Sequence, residues 1–124
     1  MIEETPDWLP DFERGAALFN AGRFFDCHEV WEIAWQRASG VEKILLQALI
    51  QTAVALLHLE RGNLRGARSV WAKARAKFQA QPTQLMGLEL EEFCAALERL
   101  FTAAREQRPT GEIPRLRLPN TEAR

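Results

Sequence analysis

The nine residues CHEVWEIAW, positions 27 to 35, bring together a histidine, two glutamates and two tryptophans. Imidazole and carboxylate are the side chains that move protons near neutral pH or hold a metal ion. On a helix His28 and Glu32 stand one turn apart on a shared border, and Trp35 follows along it. A second set lies downstream. At 100° per residue Gln47, Gln51 and His58 fall within about 40° of one another, a single polar stripe on an otherwise apolar segment. Burying two amides and an imidazole without partners would cost roughly 1–3 kcal/mol each. The stripe therefore needs partners, and the border carrying His28 and Glu32 can supply them.

Three uses compete for such a cluster. A satisfied buried network that fixes helix register is the plainest. A binding site at the same place is the second, with Trp35, Gln47, Gln51, Arg61 and Asn63 as its contact residues. A reaction centre is the third, with His28, Glu29, Glu32 and His58 as catalytic candidates. Gln51 and His58 are separated by about 10 Å along the helix axis, too far to share an ion at coordination distances near 2 Å. A metal site would instead need His28, Glu32 and His58, a set suited to zinc or iron. No other cofactor is expected. HExxE is not the zinc-binding HExxH, and the ExxH order of helix-borne carboxylate centres is not matched either. Cys27 and His28 are adjacent on a helix and so diverge, which disfavours a thiol–imidazole pair. No phosphate loop or glycine-rich dinucleotide fingerprint is present.

The elements that must position these residues read as helices. Thr5–Pro6 can open a first one through DFERGAALFNA, and Gly22 stops it. FFDCHEVWEIAWQRA is the second, with Asp26 at the end where the dipole favours an anion. Ser39 and Glu42 form a capping-box pattern ahead of VEKILLQALIQTAVALLHLER, the third and central helix, which Gly62 and Asn63 end. LRGARSVWAKARAKFQA is the fourth. After QPTQLMG, LELEEFCAALERLFTAAREQ is the fifth. Strand signals are nearly absent. Shifted by 40 residues, Gly22, Val30, Trp31 and Ala34 fall on Gly62, Val70, Trp71 and Ala74, which suggests two similar helical hairpins. The expected fold is all-α: a single compact bundle of about five helices over residues 1–107, followed by an extended proline-rich tail over 108–124. Ile113, Leu116 and Leu118 give that tail something to lay against the bundle.

Composition narrows the classes. Hydrophobic residues at 47% and charged residues at 27% are those of one folded domain of 124 residues. Formal net charge is -1 and the pI near 6.1, so no global positive field draws in nucleic acid or an anionic membrane. Neither cysteine is in a CxxC spacing, and both are expected reduced and buried. MIEETPDWLP has no apolar run of a signal peptide, so the expected location is cytoplasmic, with no membrane contact. One basic feature stands out. Arg61, Arg68 and Arg75 recur every seven residues, with Arg65 beside them and Trp71 on the adjoining edge, a pattern able to meet phosphates and stack a base.

The runs FNAGRFFDCHEVWEIAW, LLQALIQTAVALLHLERGN followed by GA, and LMGLELEEF resemble a small all-helical bacterial and plastid family known as domain of unknown function number 309. The likeness spans roughly residues 15 to 100. The family's motif positions correspond here to Gly22, His28, Glu29, Glu32, Trp35, Gln47, Gln51, His58, Arg61, Gly62, Asn63 and Gly66. The resemblance implies a helical bundle with a shared polar cluster, and no activity. It also conflicts with the helical wheel, which turns Glu29 to solvent. Asn63 is expected either to cap the fourth helix or to point into the cluster.

The resulting expectation is a non-catalytic module that binds a protein partner or small ligand where His28, Glu32, Gln51 and His58 meet, beside Trp35. A metal-dependent, hydrolase-like enzyme using His28, Glu32 and His58 is the alternative, in which Arg61 would neutralise an anionic substrate. Nucleic-acid contact through the arginine stripe comes third, and self-association stays open.

Overall fold

Two glycines set the topology. Gly22 and Gly62 adopt φ of +79° and +75°, a left-handed conformation that costs glycine nothing and other residues about 1 kcal/mol or more. At each, the next residue's amide bonds back five positions: Arg23 to the Leu18 carbonyl at 2.9 Å, Asn63 to that of His58 at 2.8 Å. Both helix ends are thus closed by the same turn. A computed structural model describes residues 5–81, 84–85 and 88–118 of the chain. In order, these form α1 (Leu9–Asn20), α2 (Phe24–Arg37), α3 (Gly40–Glu60), α4 (Leu64–Gln79), β1 (Gln84–Leu85), β2 (Leu88–Glu89) and α5 (Leu90–Arg105). Each of α1 to α4 packs on the next, so α3 lies between α2 and α4.

The 40-residue echo is a repeat of structure as well as of letters. Cys27, Trp31 and Ala34 on α2 and its C-cap residue Ala38 are buried, and so are Ala67, Trp71, Ala74 and Phe78 on α4. Each helix buries the same apolar arc. Between α1 and α2 the seam closes on Trp31, fully buried and stacked against Phe12 and Phe19 at 6.2 and 5.8 Å between ring centres. Its indole N–H donates to the Phe12 carbonyl at 3.0 Å. Gly15 makes room for the indole: a Cβ there would lie 2.3 Å from Trp31 Cδ1. From the far side Phe93 of α5 meets Phe19 at 5.8 Å.

Several local expectations are corrected. Helix α1 starts at Leu9, after a turn in which the Leu9 amide bonds the Pro6 carbonyl, and Pro10 is the proline in its first turn. Ser39 does take the extended conformation of an N-cap, but its side chain makes no capping hydrogen bond, so the capping box with Glu42 is not formed. A two-stranded antiparallel ladder pairs Gln84 with Glu89 and Leu85 with Leu88 just before α5, which runs of two residues are too short to signal in a sequence. Cys27 is buried as expected, whereas Cys94 is only partly so.

Residues 108–118 form neither helix nor strand, and 112–118 line concave regions shared with α1 and α5. Leu116 is the buried anchor, Leu118 packs partly against the core, and Ile113 stays exposed. Asn20 holds the tail by its main chain: its amide donates to the Leu116 carbonyl at 2.9 Å and accepts the Leu116 N–H at 2.8 Å. Expectations for residues 119–124 lie outside the described residues.

The Trp31 seam yields a test. Gly15→Ala should destabilise the protein by about 1–3 kcal/mol, the range for overpacking a filled core, although alanine is the better helix former. Urea unfolding of the two proteins side by side measures it, and an unchanged midpoint would mean the seam is looser than described.

Candidate functional site

The accessible side of α3 is one continuous stripe: Gly40 and Ile44 are exposed, and Gln47, Gln51, Val54 and His58 half-buried, while Leu45, Leu46, Ala48, Leu49, Ala53, Ala55 and Leu56 are fully enclosed. The polar stripe read from the sequence is real, but it faces outward between α2 and α4. Its partners come from α4 and from the turn before it. Gln51 Oε1 accepts from Lys77 Nζ at 3.0 Å. His58 Nδ1 meets the Asn63 amide at 3.2 Å.

On α2, His28 finds its partners within its own helix. His28 Nδ1 is 2.7 Å from the Phe25 carbonyl, which can only accept, so Nδ1 carries the proton. In neutral His28 the lone pair is therefore on Nε2, 3.9 Å from a Glu32 oxygen. Phe25 leans on the imidazole at 5.2 Å and is itself half exposed. Glu29 is exposed, as the wheel had it, and forms no ion pair among the described residues.

The expected convergence of His28, Glu32, Gln51 and His58 in a dry interior is thus not what forms. Among the described residues Thr52 is the only buried polar side chain, its hydroxyl returned to the Ala48 carbonyl at 2.9 Å. The metal set His28, Glu32 and His58 is not assembled either. Among the described residues no three histidine, cysteine, aspartate or glutamate side chains come together closely enough to hold an ion. The physical reason is rotational: the stripe on α3 turns toward α4 and solvent instead of into the α2 seam. Neither cysteine offers a nucleophile, since burial pushes the Cys27 thiol far up and that of Cys94 up to about 12.

Five of the twelve motif positions, His58, Arg61, Gly62, Asn63 and Gly66, lie at the α3–α4 turn. Gly62 supplies the left-handed residue, and Asn63 caps α4 by accepting the Gly66 N–H at 2.9 Å through Oδ1. That bond fixes the amide's orientation, so Nδ2 is the atom facing His58 and donates to Nδ1. Neutral His58 consequently carries its proton on Nε2. Gly66 is needed because a Cβ there would lie 2.5 Å from Asn63 Nδ2. Asn63 therefore does both things expected of it as alternatives, capping α4 and reaching the stripe. Arg61 is the exposed C-cap residue of α3.

Trp35 stands apart. Its ring lies partly buried at the α2–α3 border, with Lys43 Nζ 4.3 Å from the ring centre. Its indole nitrogen is buried without an acceptor among the described residues. Trp31 and Trp71 each have one. On the same two helices Phe25, Ile33, Val41 and Ile44 are exposed.

The arginine stripe is also revised. Trp71 is buried, stacked on Phe101 at 5.3 Å, and donates to Glu98 at 2.9 Å, so its indole is not free to stack a base. Arg75 pairs with the other Glu98 oxygen at 3.1 Å.

Fold and site together define a small all-α protein of two stacked helical hairpins, a fifth helix and a strapped tail. The sequence model of the family described as "Domain of unknown function (DUF309)" matches residues 12–70, from α1 into α4, and supports the family resemblance drawn from the motifs. No curated protein matches the chain.

The turn device predicts a change of sign. Gly66→Ala should destabilise the native protein, whereas in an Asn63→Ala background, where the colliding amide is gone, the same substitution should be neutral or stabilising by up to about 1 kcal/mol. Asn63→Ala alone should cost about 1 kcal/mol as a lost cap. Thermal denaturation of the four-protein cycle checks this, and additive penalties would refute the shared device.

Proposed function

We propose that the protein is a non-catalytic interaction module whose outer α2–α3 face docks a protein partner. The observation that carries the reading is the company kept by the motif residues there. His28, Glu29 and Glu32 on α2 and Gln47 on α3 are accessible, and Phe25, Val41 and Ile44 of the same two helices are exposed. Exposed apolar side chains rimmed by polar ones are the composition of a docking surface. Concave regions of about 610 Å³ at the end of α1, 500 Å³ between α4 and α5, and 700 Å³ between α5 and the tail are lined by none of these residues. The motif face is therefore better suited to a polypeptide than to an enclosed small molecule. The orphaned Trp35 N–H adds to the argument, since a buried donor without an acceptor costs about 1–3 kcal/mol and gains when a partner brings one. Lys43, a long mobile side chain, is what would move aside.

The test separates docking from folding. A photo-crosslinking residue at Glu29 should trap a discrete adduct in cells, while the same residue at Glu60, on the opposite side of α3, should not. An adduct of twice 14.2 kDa would identify the partner as a second copy. Trp35→Phe should leave the melting temperature unchanged or raised, because it removes an unsatisfied donor, yet reduce the adduct. Equal trapping from both positions, or none from Glu29, would sink the proposal.

A further inference from the structure

The space between α4 and α5 carries a separate inference that does not rest on the docking face. It is a cavity of about 500 Å³ into which α4 sends Arg65, Arg68 and Arg75 and α5 sends Arg105, with the hydroxyls of Ser69 and Thr102 on its wall. Glu98 is the one acid lining it, and both of its oxygens are engaged, one by the Trp71 indole at 2.9 Å and one by Arg75 at 3.1 Å. Arg105 has Glu106 at 3.7 Å, a pair about half exposed on both sides. Arg65 and Arg68 have no acidic partner among the described residues. Four guanidiniums thus face one carboxylate within the cavity, in a chain whose net charge is -1.

That surplus is poorly placed for stability alone. The first turns of α1, α2, α3 and α5 each hold an acidic residue, whereas the first turn of α4 holds none and carries Arg65. A cation at that end opposes the helix dipole. Beneath the arginines Trp71 and Phe101, both buried and stacked with an interplanar angle of 16°, form a rigid apolar floor that weakens solvent screening of charges above it.

We propose that this cavity binds a small phosphorylated ligand, its phosphate oxygens held by Arg65, Arg68 and Arg105 with Thr102 at the side. Guanidinium forks match the geometry of phosphate oxygens, and the volume falls in the range of small-molecule sites. A nucleic-acid strand fits less well, because Trp71 and Phe101 are both too buried to stack on bases.

The test uses the full chain and inorganic pyrophosphate as probe, titrated calorimetrically at constant ionic strength. Saturable binding is expected, weakened at least about tenfold by Arg68→Gln and by Arg105→Gln, and only partly by Arg68→Lys, which keeps the charge but not the fork. Arg37→Gln, an arginine of α2 outside the cavity, should bind like the unaltered protein. Absence of saturable binding at millimolar pyrophosphate would overturn the proposal, as would equal weakening by Arg37→Gln. An oligouridylate that binds with steep salt dependence and is not displaced by pyrophosphate would overturn it in favour of an extended nucleic-acid surface.

Discussion

The architecture hangs on the burial of Trp31. Its ring fills the seam between α1 and α2, its N–H is satisfied by the Phe12 carbonyl, and the close approach it demands is met by Gly15. An indole contributes a large apolar area but brings a donor that must be paired when it leaves water. Meeting both conditions ties α2 to α1 in a single register. Because α3 and α4 then stack on α2 in turn, the direction of every outward stripe, including the motif face, follows from that seam.

The second hairpin repeats the solution with one change that matters. Trp71 occupies the place of Trp31, stacks on an aromatic ring and finds an acceptor, but the acceptor is a carboxylate from α5 rather than a main-chain carbonyl. A glutamate recruited in this way brings Arg75 with it. Duplication of a hairpin therefore leads to two chemically different seams: an apolar one sealed by α1, and one open on its outer side toward a row of arginines.

Family motifs here divide by physical role. Gly22, Gly62, Asn63, Gly66 and His58 shape helix ends: two left-handed residues, a cap, a space for the cap's amide and an imidazole that holds it. Glu29, Glu32 and Gln47 take no part in those turns and lie on the accessible side of α2 and α3. Trp35 stands between the two groups, packed enough to be structural and yet with an indole donor left over. Motif membership alone does not tell a turn-forming histidine such as His58 from a surface one such as His28. The hydrogen bonds do.

The features legible in the letters alone are those that local chemistry controls. The five helices, the turns at Gly22 and Gly62 and the single stripe of Gln47, Gln51 and His58 each follow from the pattern within one segment, where a 3.6-residue period and a left-handed glycine suffice. The wheel also turned Glu29 outward correctly. The two-residue ladder before α5 was missed because so short a run has no periodicity of its own. Which neighbour the stripe faces was decided only by tertiary structure. A helical wheel gives an angle but no partner, so it could not show that Lys77 and Asn63, rather than His28 and Glu32, answer Gln51 and His58. Nor could it show that Trp71 turns inward to Glu98, a residue 27 positions away whose approach depends on how α5 packs. Interactions between helices are fixed by the rotation of whole elements against a shared core, and that rotation is a property of the packed ensemble of side chains, not of any one segment.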